Sequence, residues 1–234
     1  MQVQLPKLML GTSPFIGAGQ FGRKAYDYRT MFFSNERNME RLFIKSATLG
    51  VQAVQLIVYE PLVNALKAAA RELGTKFFVA ATIPSGQRFE KDLELIKPLK
   101  PEIIAIHALF CDALDPRLHG WIKQIRELGA SPAASTHYPG ETIEELDRAG
   151  FEFEVYLAPV NSVGYAMAPT RDRTLQALET TDKQVIAIKP LAARLKCHTS
   201  SLFSFIYQYA DSISVGIVSD EEMEETYTIA KKVW

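Results

Sequence analysis

Two short apolar runs end on histidine: IIAIH at residues 103–107 and SPAASTH at residues 131–137. A third, QVIAIK at residues 184–189, ends on lysine. Imidazole ionises near neutrality, so His107 and His137 can give or take a proton at physiological pH. A lysine inside a protein can anchor an anion or, once desolvated, act as an amine nucleophile. For these side chains to meet, the runs that carry them must be neighbours in one sheet and end at the same edge.

The bulk properties allow such a sheet. The chain has 234 residues, 47% hydrophobic and 23% charged, an ordinary globular composition. Barrels of alternating strands and helices commonly run to about 200–250 residues as one domain, so residues 1–234 read as one domain. A net charge of -1 and a pI near 6.4 leave no electrostatic footprint for nucleic acid or an anionic membrane. No stretch approaches the about 18 apolar residues of a membrane span. The opening MQVQLPKLML lacks the pattern of a signal peptide. A cytoplasmic protein with a small-molecule ligand is the expectation; oligomeric state is not legible. Cys111 and Cys197 stand far apart without a CxxC, so neither a disulfide framework nor structural zinc is expected.

Eight apolar runs recur, at residues 8–15, 51–59, 77–82, 103–107, 132–137, 153–161, 184–189 and 213–218, most followed by a helix-like stretch. Pro61 and Gly74 bracket one helix, and Gly50, Gly129 and Gly150 stop others, as start and stop signals do. Near-continuous apolar strands alternating with amphipathic helices imply a parallel sheet covered by helices. Eight units ending on a helix favour a closed (β/α)8 TIM barrel over a doubly wound open sheet. Residues 16–33 read as an irregular segment, too long for an ordinary connection of about 2–6 residues and therefore a candidate lid. Gly17, Gly19 and Gly22 there spell G-x-G-x-x-G, but the stretch after them is not an apolar helix, so a flexible loop is expected rather than a dinucleotide turn. Arg23 and Arg29 in that segment are candidates to meet an anionic ligand.

Strand alternation then selects the mouth. With small alanines taken as interior and bulky isoleucines as facing the helices, Ala105 and His107 point inward, as do Ala187 and Lys189. Ala133, Ser135 and His137 share a face, as do Gln55, Ile57 and Tyr59, and Asn161 closes the sixth run. The expected constellation is Tyr59, His107, Ser135, His137, Asn161 and Lys189. His119 and His198 read as surface residues. Two histidines with a carboxylate such as Glu60 would make a metal site, but no acid falls on an inward strand position, so no metal is expected.

In order along the chain, LMLGTSPFIGAGQFG, PEIIAIHALF, SPAASTHYPGETIEEL, VIAIKPLAARL and SISVGIVSDEEMEE resemble segments of the aldo/keto reductase superfamily. That resemblance implies a (β/α)8 barrel that reduces carbonyls with NADPH, a tyrosine protonating the substrate oxygen with help from a lysine, an aspartate and a histidine. His107 matches the histidine and Tyr59 the tyrosine. Val54 and Gln55 stand where the aspartate is expected, and Thr82 and Ile83 where the lysine is, so the resemblance is to a divergent member. Ser135 and Asn161 resemble residues that hold the nicotinamide amide, and Ser219 stands where a phosphate would meet a helix N-terminus.

Three readings stay open. The first is a nicotinamide-dependent (NADP or NAD) oxidoreductase acting on a small carbonyl compound. The second is a cofactor-independent lyase or isomerase using His107 or His137 and Lys189. The third is a barrel that binds a small ligand without catalysis.

Overall fold

In the computed structural model, residues 3–84, 86–192 and 199–234 are described. Among them, eight parallel strands close into a barrel in chain order: β1 (Leu8–Gly11), β2 (Ala53–Ile57), β3 (Phe78–Ile83), β4 (Ile103–Ile106), β5 (Ser131–Ser135), β6 (Val155–Pro159), β7 (Gln184–Ile188) and β8 (Ser212–Gly216). Closure comes from β1 pairing with β8, with Met9 opposite Ser214 and Gly11 opposite Gly216. The helices are α1 (Lys24–Phe32), α2 (Glu36–Thr48), α3 (Glu60–Leu73), α4 (Phe89–Ile96), α5 (Ala108–Cys111), α6 (Leu118–Glu127), α7 (Pro139–Arg148), α8 (Arg171–Thr180), α9 (Ser200–Ile206) and α10 (Asp220–Ala230). No described helix is long and apolar enough to cross a membrane. Cys197 and His198 lie outside the described residues; Cys111 is a buried free thiol, and burial pushes its pKa far up, which keeps it unreactive. His119 is exposed, stacked on Phe151 at 4.5 Å.

The helices form where capping and periodicity agree. α3 carries Pro61 in its first turn, buries Leu62, Val63, Ala65, Leu66 and Ala69, and ends on left-handed Gly74; proline is pre-set for that turn and glycine tolerates the left-handed cap. α10 starts with a reciprocal cap: Ser219 accepts from the Glu222 amide at 3.2 Å, while the Glu222 carboxylate accepts from the Val218 amide at 2.9 Å.

The core has two layers. Leu10, Val54, Ile104, Ile106, Ala134, Ala187, Ile213 and Val215 face the helices. Met9, Ala53, Ala80, Ile103, Ala105, Ala133, Val155, Leu157 and Ile186 fill the barrel. This corrects the expected register of β7: Ile186 and Ile188 point inward and Ala187 outward. The interior is not uniformly narrow. The alanines of β2 to β5 leave room across the barrel, and branched residues from β6 and β7 fill it, as interior layers require.

Two further differences concern connections. The segment expected to be irregular at 16–33 contains α1, whose only buried residue is Phe32. A helix with no apolar stripe gives no periodic signal. The segment after His107 holds α5, four residues long and too short for periodicity to register.

Candidate functional site

A cavity of about 300 Å³ opens at the C-terminal ends of the strands, where barrels of this type place their sites. Its floor is built by inward side chains: Gln55 and Ile57 from β2, Thr82 from β3, Ser135 from β5, Leu157 from β6, Ile188 from β7 and Ser214 from β8. His107, His137, Lys189 and Tyr59 complete the wall just beyond the strand ends. Residues 13–21 cover one side through Ser13, Ile16, Gln20 and Phe21. That cover is anchored by Phe15, fully buried between Phe32 (4.7 Å) and Phe43 (5.7 Å). Gly17 is required there: its φ is +63°, and a Cβ would sit 2.3 Å from the Ala25 carbonyl oxygen. Gly17 of the glycine motif thus serves close packing of the cover against α1.

His107 caps α5, its Nδ1 accepting from the Leu109 amide at 3.2 Å. An acceptor nitrogen carries no proton, so in the neutral ring the proton sits on Nε2. His137 stands 5.5 Å away with its ring edge-on. Both rings have their pKa lowered from 6.5. For His107 the causes are desolvation first, then the charges of His137 and Lys189; for His137 they are desolvation and then Lys189. Asp112 opposes the shift at both. Lys189 is lowered by desolvation, again opposed by Asp112.

These shifts carry a pH prediction. In the unfolded chain both imidazoles take protons near pH 6.5; in the folded chain they resist until lower pH. The unfolded state then binds more protons below about pH 6.5, and stability falls as pH drops through that window. The urea midpoint is expected to fall between pH 7.5 and 5.5, and the double variant His107→Gln/His137→Gln to flatten that fall. An undiminished slope in the double variant would contradict it.

Lys189 reaches the cavity by leaving the strand rule. By alternation it would follow Ala187 outward, but its φ is +54°. A non-glycine residue in this region costs about 1–2 kcal/mol, and the turn brings the side chain to the cavity wall. Its carbonyl accepts from the Ala192 amide at 3.0 Å and from the Asn161 side chain at 3.4 Å.

Asn161 is therefore not on the cavity wall. It is fully buried, and its amide group also bonds both the amide and the carbonyl of Tyr165 at 2.8 Å. Ser219 is not on the wall either, being occupied as the α10 cap. Arg23 and Arg29 are exposed; Arg29 donates to the Ile16 carbonyl at 3.3 Å and lies over Phe33. Tyr59 is on the wall, edge-on to Phe33 at 5.6 Å. The structure thus brings together His107, His137, Lys189, Tyr59 and Ser135, and leaves Asn161, Ser219, Arg23 and Arg29 off the wall.

Two features lie outside the expected constellation. Gln55 and Thr82 face the cavity as a pair, with the Gln55 amide donating to the Thr82 hydroxyl at 2.9 Å. Asp112, the C-cap of α5, lies behind the histidines. Its carboxylate accepts from Thr136 Oγ1 at 2.6 Å, Thr142 Oγ1 at 2.9 Å and the His137 amide at 3.0 Å. The only sequence signal for Asp112 was its nearness to His107. Among the described residues lining the cavity, the charged or chargeable groups are His107, His137, Lys189 and Tyr59, with no carboxylate. Among the described residues no cluster of three metal-ligating side chains occurs.

The phosphate-receiving end of a dinucleotide site does not fit this chain. Glu222 already occupies the amide at the start of α10, Asp220 and Glu221 crowd its first turn, and Arg41 and Lys45 are paired with Asp220 and Glu224. A phosphate there would meet like charge.

No protein-family profile and no curated protein matches the sequence. Solved structures do match in shape. A protein assigned as an aldo-keto reductase from Pseudomonas aeruginosa superposes with a TM-score of 0.68 at 14% identity, over 99% of this chain and 91% of that one. A thermostable aldo-keto reductase solved with the inhibitor epalrestat gives 0.63 at 16% identity, over 97% and 90%. A thiamine phosphate pyrophosphorylase from Pyrococcus furiosus gives 0.55 at 12% identity, over 85% and 90%. At such identities the likeness is one of fold, and function must be argued from the site. The chain has the (β/α)8 fold of the aldo-keto reductases.

Proposed function

We propose that the cavity is the active site of an enzyme acting on a small carbonyl compound that carries an anionic group, by acid–base chemistry rather than hydride transfer. The observation that carries this reading is the wall itself: two histidines and a lysine with no facing carboxylate among the described residues. Lys189, the cation among these described lining residues at neutral pH, attracts an anion, the more so for being partly desolvated. Neutral His107, with its proton on Nε2, is a hydrogen-bond donor to a carbonyl oxygen on which negative charge develops. His137, neutral near pH 7 and at the solvent-exposed rim, is the base that takes a proton from the carbon beside the carbonyl and returns it elsewhere. That is the chemistry of an isomerase or lyase.

Nicotinamide-dependent reduction is the second reading, favoured by Ser135 on the wall and by the fold. Against it, the Asn161 amide and the α10 N-terminus are already engaged.

Calorimetric titration separates the two. Pyruvate, glyoxylate or glyceraldehyde 3-phosphate is expected to bind saturably, and methyl pyruvate at least about tenfold more weakly than pyruvate, the loss of one charge interaction. Absence of binding across these acids, or equal affinity for the neutral ester, would remove the proposal. Saturable quenching of tryptophan fluorescence by NADPH or NADH would restore the second reading.

A further inference from the structure

The geometry points to Lys189 as an amine nucleophile that forms an imine with the carbonyl carbon of a short-chain substrate bearing a carboxylate or phosphate, with His137 moving the protons and His107 steadying the oxygen. This rests on the carbonyl-compound reading of the same cavity and extends it to a covalent step.

Three observations carry it. First, Lys189 is re-aimed into the cavity by a left-handed backbone at the end of β7. A lysine kept only as a solvated surface charge needs no such turn, and strain of this kind persists where surrounding structure holds it. Second, that structure is present. Fully buried Asn161 holds the Lys189 carbonyl and both backbone groups of Tyr165, tying the β6 and β7 ends together. Third, no described residue lining the cavity offers a carboxylate to fix the ammonium, while two imidazoles, 5.5 Å from each other, line the same cavity. Desolvation lowers the Lys189 pKa from its ordinary 10.5, which raises the fraction of free amine that can attack.

The step balances without a further reactant. Lys189, which meets the substrate as the ammonium, gives one proton to His137, and the freed amine lone pair forms the C–N bond as the carbonyl π pair moves to oxygen, which the neutral His107 steadies by a hydrogen bond from Nε2. Oxygen takes the proton back from His137, and the nitrogen then releases its second proton to His137. The resulting hydroxyl takes that second proton and leaves as water, giving an iminium whose positive charge stays on the Lys189 nitrogen. The cation that attracts the substrate's anionic group is therefore retained. The iminium withdraws electrons from the adjacent carbon, which eases loss of a proton or cleavage of a bond there. Hydrolysis reverses the same steps and frees the amine.

The test is reductive trapping. The protein is incubated with glyoxylate, pyruvate or glyceraldehyde 3-phosphate and sodium cyanoborohydride, then measured by intact mass and peptide mapping, beside calorimetry of the same compounds. A single saturable adduct at Lys189, formed at least about tenfold faster than at any other lysine, is expected. Lys189→Arg is expected to lose the adduct and all turnover while binding the compounds within about tenfold of wild type, because it keeps the charge. The carboxylate and phosphate arms tell which anion the site takes. Saturable binding with no preferential adduct at Lys189 would overturn the imine and leave the carbonyl site standing. Turnover retained in Lys189→Arg would do the same. No binding by wild type would overturn both.

Discussion

Asp112→Ala is expected to lower stability by about 3 kcal/mol. The Asp112 carboxylate accepts three hydrogen bonds, from the Thr136 and Thr142 hydroxyls and the His137 amide, and both threonines are buried, at 0% and 2% exposure. Hydrogen bonds to a charged group contribute about 1.5–3 kcal/mol each, and a buried donor left without a partner costs about 1–3 kcal/mol. The three share one acceptor and do not add in full. Asp112→Asn keeps one acceptor oxygen and is expected to lose less. Urea denaturation checks this as a fall in midpoint at unchanged slope. A loss below about 1 kcal/mol for the alanine variant would show that the carboxylate is not what fastens α5 to the β5 end. The same substitution removes the charge that opposes the depressed pKa of His107 and His137. Both imidazoles are therefore expected to titrate at still lower pH, readable from their NMR shifts.

His107→Ala is expected to reduce turnover of the carbonyl substrate by roughly 10²–10³, the usual contribution of one hydrogen-bond donor to a developing oxyanion. The effect should fall on kcat more than on KM, since the interaction strengthens as charge develops on oxygen. His107 also caps α5, and loss of a cap costs about 1 kcal/mol. His107→Asn separates the roles: asparagine is a good N-cap residue, but its shorter side chain, once it caps α5, does not extend to where Nε2 meets the oxygen. It is expected to keep the wild-type urea midpoint and still lose turnover. Turnover within threefold of wild type in both variants would remove His107 from the chemistry.

The chain's own order of residues determined the barrel. Eight apolar runs, with Gly50, Gly74, Gly129 and Gly150 ending the helices between them, are local signals, and local signals survive in a linear reading. It also located His107, Ser135 and His137 at one mouth, because β4 and β5 obey the period-two rule with alanines inward. The same rule failed on β7. Whether Ile186 faces the interior depends on what the opposite wall supplies, and there Ala53, Ala80, Ala105 and Ala133 leave the space it fills. Lys189 reached the cavity all the same, through a φ of +54° that residue identity does not announce.

The tertiary structure alone decided the rest of the constellation. Asn161 and Ser219 carry the polar groups a ligand would want, but each had a nearer backbone to satisfy, and a buried polar group bonds what lies beside it. Asp112 ends a helix too short for periodicity, and its partners Thr136 and Thr142 lie 24 and 30 residues away. Side-chain type and strand period are local properties, so the two histidines could be read from the chain. The carboxylate behind them and the turn that aims Lys189 at them arise from long-range packing, and only the closed barrel brings those together.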